Sequence, residues 1–424
     1  MSTSALYAGA ARARGRSALA RCVGDVDEFL ATVWTRRHQH RVAAEPAAFA
    51  DLFGEDSLRH VLTHRELRVG RHDLRLMQTV DGRFSVLDPA QYTVGSEAGD
   101  DRVDGAAVDR LLRSGASLAL QLVDRYWRPL ERFCRDLELF LGHPCQATAY
   151  VTPPAAQGLD VHHDLHDVLV LMIAGEKEFT LYEPVIEDPV RGQMLSSLSP
   201  SPHLQEIATM TLRPGDVLYI PRGMPHVALT GAHRSTHLTI GVRAATWHAL
   251  AAEVAGKLVD ECAADREMRR SIPVGALYGG RAYESLADEQ AERLAGIVRE
   301  LARRAFREGL TRTMLAARLT DYGDGSDWLD RVAAPLTAER AKVRLRPGAL
   351  VHITRRGDEA EVRLSGGRIL RTGLTEADAL AEILSAPGGG TATAYVSPAG
   401  PASPLIRLVR VLLEEGVLEM ATTP

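Results

Sequence analysis

The sequence predicts an α+β protein whose centre is a double-stranded β-helix, a barrel of the jelly-roll or cupin type. The main observation is a run of short strand candidates from residue 145 to residue 242, separated by turn signals such as Pro214-Gly215-Asp216. Many short strands at even spacing are typical of jelly-roll barrels. On both sides of this run, apolar residues recur at three- and four-residue spacing, which predicts flanking helices.

Each predicted strand of the barrel is a short apolar or alternating segment. The candidates are residues 147–152, 161–164, 168–173, 178–182, 206–212, 217–220, 226–229 and 235–242. The longest apolar run, 168–174, is far shorter than the roughly 18 residues that a membrane-spanning helix needs, and it suits a buried strand. We therefore predict no membrane partner.

The flanking segments predict a three-part chain. Before the barrel, helical patterns occupy residues 25–35, 46–53 and 107–142, and strand patterns occupy 67–87. After the barrel, helices are predicted at 247–262, 288–306 and 315–332. The last part combines strands at 343–345, 350–354, 361–364 and 391–396 with helices at 376–384 and 405–414. The predicted domains are a catalytic domain at 1–244, a helical region at 245–334 and a winged-helix-like module at 335–424.

Composition excludes several classes of function. The 424 residues carry a formal net charge of −5, so no overall positive field attracts nucleic acid. The four cysteines are scattered and form no CxxC pair, which argues against a zinc site or a disulfide framework and fits a reducing cytoplasm. The first 24 residues are rich in arginine and contain no acid before residue 25, and we interpret them as a frayed basic arm rather than a transit peptide.

Two separated motifs predict one metal site. In a strand, residues two apart point to the same face, so His162 and Asp164 would project together into the barrel while His163 points away. His226 follows 62 residues after Asp164, at the end of a Gly-x5-Pro-x-Gly-x2-His segment that begins at Gly215. Two histidines and one carboxylate form a facial triad, which leaves the other positions of an octahedral Fe(II) open.

Purely structural roles are alternative interpretations of these residues. His162 and Asp164 could be a hydrogen-bonded pair on a loop, and His226 could be a core histidine. His163 and His166 are predicted to face solvent or to lie behind the ligands, so we leave them out of the ligand set.

A buried cation is predicted beside the metal. Lys177 is one of only three lysines among 50 basic residues and lies fifteen residues after His162, where a hairpin could return beside the metal strand. A buried ammonium needs a partner, and the distal carboxylate of 2-oxoglutarate would be one, with Tyr150 as a second donor. Lys177 could instead be a surface lysine, and Tyr150 could be plain core packing. His237 and Thr239 are candidates to line the same pocket.

The motifs together resemble a known family. The segments Tyr150-Val-Thr-Pro-Pro-Ala-Ala-Gln-Gly-Leu-Asp-Val-His162-His-Asp164, Gly175-Glu-Lys177 and Gly215-Asp-Val-Leu-Tyr-Ile-Pro-Arg-Gly-Met-Pro-His226 resemble the JmjC-type ribosomal oxygenases. This family includes the bacterial ribosomal-protein arginine hydroxylase and the human nucleolar histidine hydroxylases. The resemblance is strong over residues 145–242 and elsewhere concerns the layout of the chain.

The resemblance implies an enzyme with a defined set of roles. His162, Asp164 and His226 would bind Fe(II), Lys177 and Tyr150 would hold 2-oxoglutarate, and O2 would be the second cosubstrate. It also implies hydroxylation of a protein side chain, for example in a ribosomal protein, and a homodimer formed through the helices after the barrel. Two positions depart from the family pattern, since Leu165 replaces an acidic residue and Thr148 an asparagine. Both fall on the substrate side, so a peptide or natural product is an alternative substrate.

Two rival functions follow from the same residues. The first is a cupin metalloenzyme that does not use 2-oxoglutarate, and Lys177 argues against it because such an enzyme needs no carboxylate clamp. The second is a non-catalytic regulator that uses its winged helix, and the intact triad argues against it.

Overall fold

The computed structural model describes the chain in fourteen stretches. These are residues 4–7, 11–64, 66–70, 72–80, 83–94, 101–157, 159–193, 204–274, 281–316, 341–345, 349–364, 368–385, 394–396 and 404–420. The chain divides into two compact units, one of residues 11–244 and the other of residues 1–10 together with 245–424.

The elements are numbered in chain order. The strands are β1 (Ser4–Tyr7), β2 (Gln39–Arg41), β3 (Leu74–Val80), β4 (Arg83–Val86), β5 (Ser117–Leu120), β6 (Cys145–Thr152), β7 (Asp167–Ala174), β8 (Lys177–Tyr182), β9 (Glu206–Leu212), β10 (Val217–Ile220), β11 (His226–Thr230), β12 (Ser235–Val242), β13 (Ala341–Leu345), β14 (Val351–Arg356), β15 (Glu359–Leu364), β16 (Ile369–Gly373), β17 (Ala394–Val396) and β18 (Leu418–Met420). The helices are α1 (Ala11–Val23), α2 (Val26–Thr32), α3 (Glu55–His64), α4 (Gly105–Arg113), α5 (Arg128–Leu141), α6 (Trp247–Ala264), α7 (Arg281–Ala316), α8 (Leu374–Ser385) and α9 (Pro404–Glu414).

Two antiparallel sheets form the barrel of the first unit. The large sheet has the strand order β2-β10-β7-β12-β6-β5-β3-β4, and the small sheet has the order β11-β8-β9. Neighbours along the large sheet pair antiparallel; β12, for example, pairs with both β6 and β7, with a register shift between Thr236 and His237 in the β7 ladder. This arrangement confirms the predicted cupin-type barrel.

Strand β7 consists of a continuous run of apolar residues because both of its faces are buried. Val168, Val170 and Met172 belong to the core between the two sheets, whereas Leu169 and Leu171 belong to the core on the other face of the large sheet. A strand that is covered on both faces has no polar alternation. The run at 168–174 is therefore a buried strand, as predicted.

The N-terminal segment is a packed helix. In α1, Leu19 and Cys22 are fully buried in the core on the outer face of the large sheet. Arg14 pairs with Asp136 of α5 at 3.2 Å, and Arg21 pairs with Asp51 at 2.7 Å. The prediction of a frayed basic arm is wrong for residues 11–23, because they form a helix in which Arg14, Arg16 and Arg21 are exposed while Leu19 and Cys22 are buried.

Most other elements of the first unit agree with the sequence patterns. The predicted barrel strands are confirmed except for 161–164, which is irregular apart from a single bridge at His162. Residues 46–53 form consecutive turns instead of a helix, with Phe49 and Phe53 buried beneath them. Strand β5 was not predicted because its four residues are too short to show alternation.

The second unit contains a helical pair and two small sheets. Helix α6 contacts α7 through Val254, Leu301 and Ala305. The sheets have the orders β1-β14-β15-β16 and β17-β13-β18, and α8 and α9 share one apolar core with them. Strand β1 pairs antiparallel with β14, so the start of the chain contributes to this unit.

The elements predicted after the barrel are partly confirmed. Helices α6 to α9 and strands β13 to β15 match the predicted positions, while β16 and β18 were not predicted. The predicted helix at 315–332 lies outside the described residues from position 317 onward, as do residues 391–393 of the strand predicted at 391–396. The winged-helix interpretation stays a prediction. Among the described helices, none combines the length and apolarity needed to cross a membrane.

Gly15 tests the contact between α1 and α5. A Cβ atom at Gly15 would lie 2.6 Å from Cβ of Phe140 and would also meet the carbonyl oxygen of Asp136, which is backbone. We expect Gly15→Ala to lower the free energy of unfolding by about 1–3 kcal/mol, the usual cost of overpacking. Chemical denaturation measures this change.

Gly256→Ala is the matched control, because a Cβ at Gly256 in α6 meets no atom within 4 Å. Alanine is favoured over glycine in a helix, so this variant should be as stable as the parent or slightly more so. Equal stabilities of the two variants would contradict the close α1–α5 packing.

Candidate metal centre

His162 and His226 lie opposite each other in a short antiparallel bridge. The N–H of His226 donates to the carbonyl of His162 at 2.8 Å, and the N–H of His162 donates to the carbonyl of His226 at 3.2 Å. His226 is the first residue of β11, and His162 lies in the irregular segment that precedes β7. This pair of backbone hydrogen bonds brings together two segments that are far apart in sequence.

The three predicted ligands converge. One possible ligand atom from each of His162, Asp164 and His226 lies within 4.8 Å of the others. Oδ2 of Asp164 is 3.8 Å from Nε2 of His226, and the two imidazole centroids are 4.5 Å apart. Ligands of a transition ion lie about 2.0–2.2 Å from it, so any two are at most about 4.4 Å apart. Small side-chain rotations therefore suffice for all three to bind one ion.

Backbone contacts orient both imidazoles. Nδ1 of His162 donates to the carbonyl of Asp160 at 2.8 Å, and Nδ1 of His226 donates to the carbonyl of Met224 at 3.1 Å. Because a carbonyl only accepts, these bonds place the proton of each neutral ring on Nδ1. Nε2 of each ring is left with a free lone pair, which is the arrangement typical of metal-binding histidines.

The electrostatics of the triad suit a cation. Burial lowers the pKa of His226 to about 4, assisted by the neighbouring His162, so its imidazole is neutral at pH 7. Burial by itself would raise the pKa of Asp164, but the nearby imidazoles of His166, His226 and His162 together hold that pKa below its ordinary value. The site thus presents a neutral His226 imidazole and an ionised Asp164 carboxylate, protonation states that bind a divalent ion.

Lys177 is buried at the wall of the same pocket. Its side chain is 2% exposed, and Nζ donates to Oγ1 of Thr152 at 3.0 Å. Burial lowers the pKa of Lys177 to about 7. Within the described part of the chain, no carboxylate lies within ion-pair distance of Nζ, so the ammonium lacks an anionic partner.

The route by which Lys177 reaches the pocket differs from the predicted hairpin. β7 and β8 follow one another in sequence but belong to different sheets. Lys177 extends from the small sheet across the barrel to Thr152, on β6 of the large sheet. Thr152 was not singled out in the sequence, although it lies two residues after Tyr150 on one strand and thus on the same face.

Tyr150 and His237 form the floor of the pocket on the large sheet. They are directly opposite each other in the β6–β12 ladder, and their rings stack at 4.9 Å with an angle of 8°. Phe179 of the small sheet meets His237 edge-on at 5.9 Å. Burial and the negative charge of Asp164 raise the pKa of Tyr150, so its hydroxyl keeps its proton and can donate.

The pocket brings all the predicted residues together. Its lining includes Tyr150, Leu159, His162, Asp164, Val168, Val170, Lys177, Phe179, His226, Ala228, His237 and Thr239. The predictions that His237 and Thr239 line it are confirmed. His163 lies outside this lining but is 1% exposed, so the solvent-facing alternative is wrong for it. His166 lies so close to Gly241 that a Cβ there would be 2.6 Å from its ring.

Comparison with known proteins identifies the domain type of the barrel and two similar proteins. Residues 121–250 match the JmjC domain, so the barrel and its triad define a JmjC-type cupin domain. Ribosomal oxygenase 2 from Bos taurus is 36% identical over 186 residues, covering 43% of this chain and 37% of that protein. The bifunctional lysine-specific demethylase and histidyl-hydroxylase NO66 from Drosophila melanogaster is 33% identical over 229 residues, covering 50% and 33%. Residues 121–250 thus carry a JmjC domain, and the chain is similar to the ribosomal oxygenases. It spans about a third of the length of these two relatives.

A solved structure shares the fold over most of the chain. The X-ray structure of YcfD from E. coli aligns with a TM-score of 0.55 at 18% identity, covering 94% of this chain and 98% of that one. The structure of YcfD, a ribosomal oxygenase, in complex with cobalt and 2-oxoglutarate aligns with a TM-score of 0.51 at 17% identity, covering 93% and 98%. At this identity the similarity concerns the fold alone.

The buried Lys177 generates a pH prediction. Its pKa falls from 10.5 in the unfolded chain to about 7 in the folded one. Between these values the unfolded chain binds more protons, so the free energy of unfolding rises with pH in that window. Lys177→Met removes this dependence. We expect the gain in stability of the variant over the parent to be largest at pH 7 and below, and to shrink toward pH 10.

Denaturation of the ligand-free protein at several pH values measures this difference. Lys257→Met is the control, because Lys257 is an exposed lysine of α6 paired with Glu253. A pH-independent difference between Lys177→Met and the parent would contradict the burial of an unpartnered ammonium.

Proposed function

We propose that this chain is an Fe(II)- and 2-oxoglutarate-dependent oxygenase that hydroxylates a protein or peptide side chain. The observation that carries the proposal is the joint presence, in one pocket, of a two-histidine, one-carboxylate triad and a buried lysine without an anion. The triad suits the metal, and the lysine suits a small dicarboxylate beside it.

The proposed metal ligands are Nε2 of His162, Nε2 of His226 and a carboxylate oxygen of Asp164. The bridge between His162 and His226 holds the two segments that carry these ligands side by side. Bound Fe(II) would supply the activation of O2, coupled to oxidative decarboxylation of 2-oxoglutarate to succinate and CO2.

The proposed role of Lys177 and Tyr150 is to hold and orient 2-oxoglutarate. A carboxylate next to Nζ would pair with the buried ammonium and so remove the cost of leaving it without an anion. Tyr150 keeps its proton at neutral pH and can donate to the same carboxylate. The apolar wall of Phe179, Val168 and Val170 would exclude water from the bound molecule.

The proposed substrate is a side chain of a ribosomal protein, arginine or histidine. The similar proteins are called ribosomal oxygenases, and one is called a histidyl-hydroxylase. Leu165 and Thr148 depart from the family pattern, which favours a substrate that differs from those of the relatives. A peptide or natural product is the alternative. We infer a cytoplasmic location, which the four free cysteines support.

We also propose a homodimer, formed through the helical region at 245–334 and followed by a winged-helix-like module at 335–424. The α6–α7 pair supports a dimer because α6 keeps large apolar side chains outside, with Trp247 76% exposed and Val259 75% exposed. Clusters of exposed apolar residues are typical of protein interfaces. The proposed catalytic domain is residues 1–244, of which residues 1–10 belong to the second compact unit.

The triad assignment is tested by Asp164→Ala and His226→Ala. Each removes one of three ligands, so we expect 2-oxoglutarate-dependent succinate formation to fall by more than the roughly 10–100-fold that loss of an outer-shell group costs. Succinate is measured with and without O2. His248→Ala, an exposed histidine after the barrel, is the control and should keep full turnover. Undiminished turnover in either ligand variant would refute the assignment.

The substrate proposal is tested by mass spectrometry. Ribosomal proteins from cells with and without the gene are compared, and the proposal expects one of them to carry an added oxygen on arginine or histidine only when the gene is present. The Asp164→Ala gene serves as the matched control and should give the same result as deletion. An added oxygen confined to a peptide or small metabolite would move the substrate to the alternative class.

A further inference from the structure

The buried carboxylate of Asp167 lies directly behind the two metal-binding segments. Asp167 is the first residue of β7, immediately after the irregular segment that carries His162 and Asp164, and it is 1% exposed. Its Oδ1 accepts a hydrogen bond from the hydroxyl of Tyr219 at 2.7 Å and a longer one from the N–H of Arg222 at 3.4 Å. Asp167 lines no part of the pocket and is not a candidate ligand.

A series of hydrogen bonds links the end of the β7–β10 ladder to the bridge between His162 and His226. The β7–β10 ladder ends with the pair Val168 and Ile220. Beyond that point the N–H of Arg222 reaches the Asp167 carboxylate, the N–H of Gly223 donates to the carbonyl of Asp164 at 3.0 Å, and the 162–226 bridge follows. The contact at Asp167 is supplied by a side chain, so mutation can remove it, whereas the following contacts are made by backbone.

Tyr219 gives the carboxylate a fixed anchor. Its hydroxyl accepts a hydrogen bond from the N–H of Thr35 at 2.8 Å. Its ring packs against those of Phe29 at 5.0 Å and Trp34 at 5.6 Å, centroid to centroid. Since Tyr219 is held on several sides, its bond to Asp167 ties the end of the segment that carries His162 and Asp164 to the helix-covered face of the sheet.

The second oxygen of Asp167 makes the arrangement costly for stability. Oδ2 is buried and has no hydrogen-bond partner in the described part of the chain. A buried acceptor without a partner destabilises the folded state, and an apolar residue would fill the same place without that cost. A role in positioning accounts for the carboxylate better than a role in stability.

We propose that Asp167 is a positioning residue for the metal centre, which holds the loop ending in His226 against the segment that carries Asp164. This inference rests on the proposed metal site. Removing the carboxylate would free the loop between Pro221 and Pro225 from β7, so the Nε2 atom of His226 would be less often within reach of the other two ligands. The metal affinity of the folded protein would therefore fall.

The test measures Mn²⁺ affinity by electron paramagnetic resonance, without O2 or 2-oxoglutarate and at a temperature where each variant is folded. We expect Asp167→Ala to weaken Mn²⁺ binding by about 10–100-fold, the range for loss of an outer-shell partner, and to broaden the Mn²⁺ spectrum. Asp167→Asn retains an acceptor oxygen and should recover most of the affinity. Tyr219→Phe should weaken binding alone but add little to Asp167→Ala, because both remove the same link.

Asp216→Ala is the matched control. Asp216 is also a buried carboxylate beside β10, but it accepts from the N–H groups of Ala43 and Arg213 at 2.8 and 3.0 Å and does not contact the metal segments. It should lose stability while keeping the affinity for Mn²⁺. His226→Ala separates the two hypotheses: if it still binds Mn²⁺ normally, the metal site itself is wrong. If it loses Mn²⁺ while Asp167→Ala keeps parental affinity, or if Asp216→Ala weakens binding equally, the positioning role is refuted.

Discussion

The backbone bridge between His162 and His226 is the contact on which the metal centre depends. Each residue donates its N–H to the carbonyl of the other, and the next contacts on both sides keep the two loops together. A facial metal site needs its ligands placed to within a fraction of an ångström. Two loops cannot provide this alone, so the precision comes from the sheet that ends beside them. The same bridge explains why His226 starts a strand of the small sheet while Asp164 precedes a strand of the large one.

The second constraint is the charge balance inside the barrel. The barrel holds a half-buried, anionic Asp164 beside two imidazoles and, across the same pocket, a buried lysine without a carboxylate among the described residues. The imidazoles around Asp164 compensate for its partial burial, whereas burial of the Lys177 ammonium is not compensated by any carboxylate of the described residues. The binding of a divalent ion and a dicarboxylate would complement both charges at once. The pocket would therefore favour ligands whose charges complement Asp164 and Lys177.

The two units contribute differently to this arrangement. In the first unit, helices α1 and α5 cover the outer face of the large sheet and keep its strands buried on both sides. This leaves the inner face free for a polar row in which Tyr150 stacks on His237. The N-terminal helix, with its exposed arginines and buried Leu19, is part of the support for the barrel. The second unit has its own apolar core, to which the chain contributes its first strand.

The barrel, the three candidate ligands and Lys177 could be predicted from the sequence, because the Gly-x5-Pro-x-Gly-x2-His segment and the short strands are local signals. The sequence could not determine that residues 161–164 form a loop, because periodicity predicts a strand wherever polar and apolar residues alternate, and the bridge that replaces the strand is made with a residue 64 positions away. It also could not place Lys177 on the opposite sheet, or show that Asp167 is bonded to Tyr219. Such contacts arise from the folding of two sheets over each other, and only the tertiary structure decides which distant side chains become neighbours.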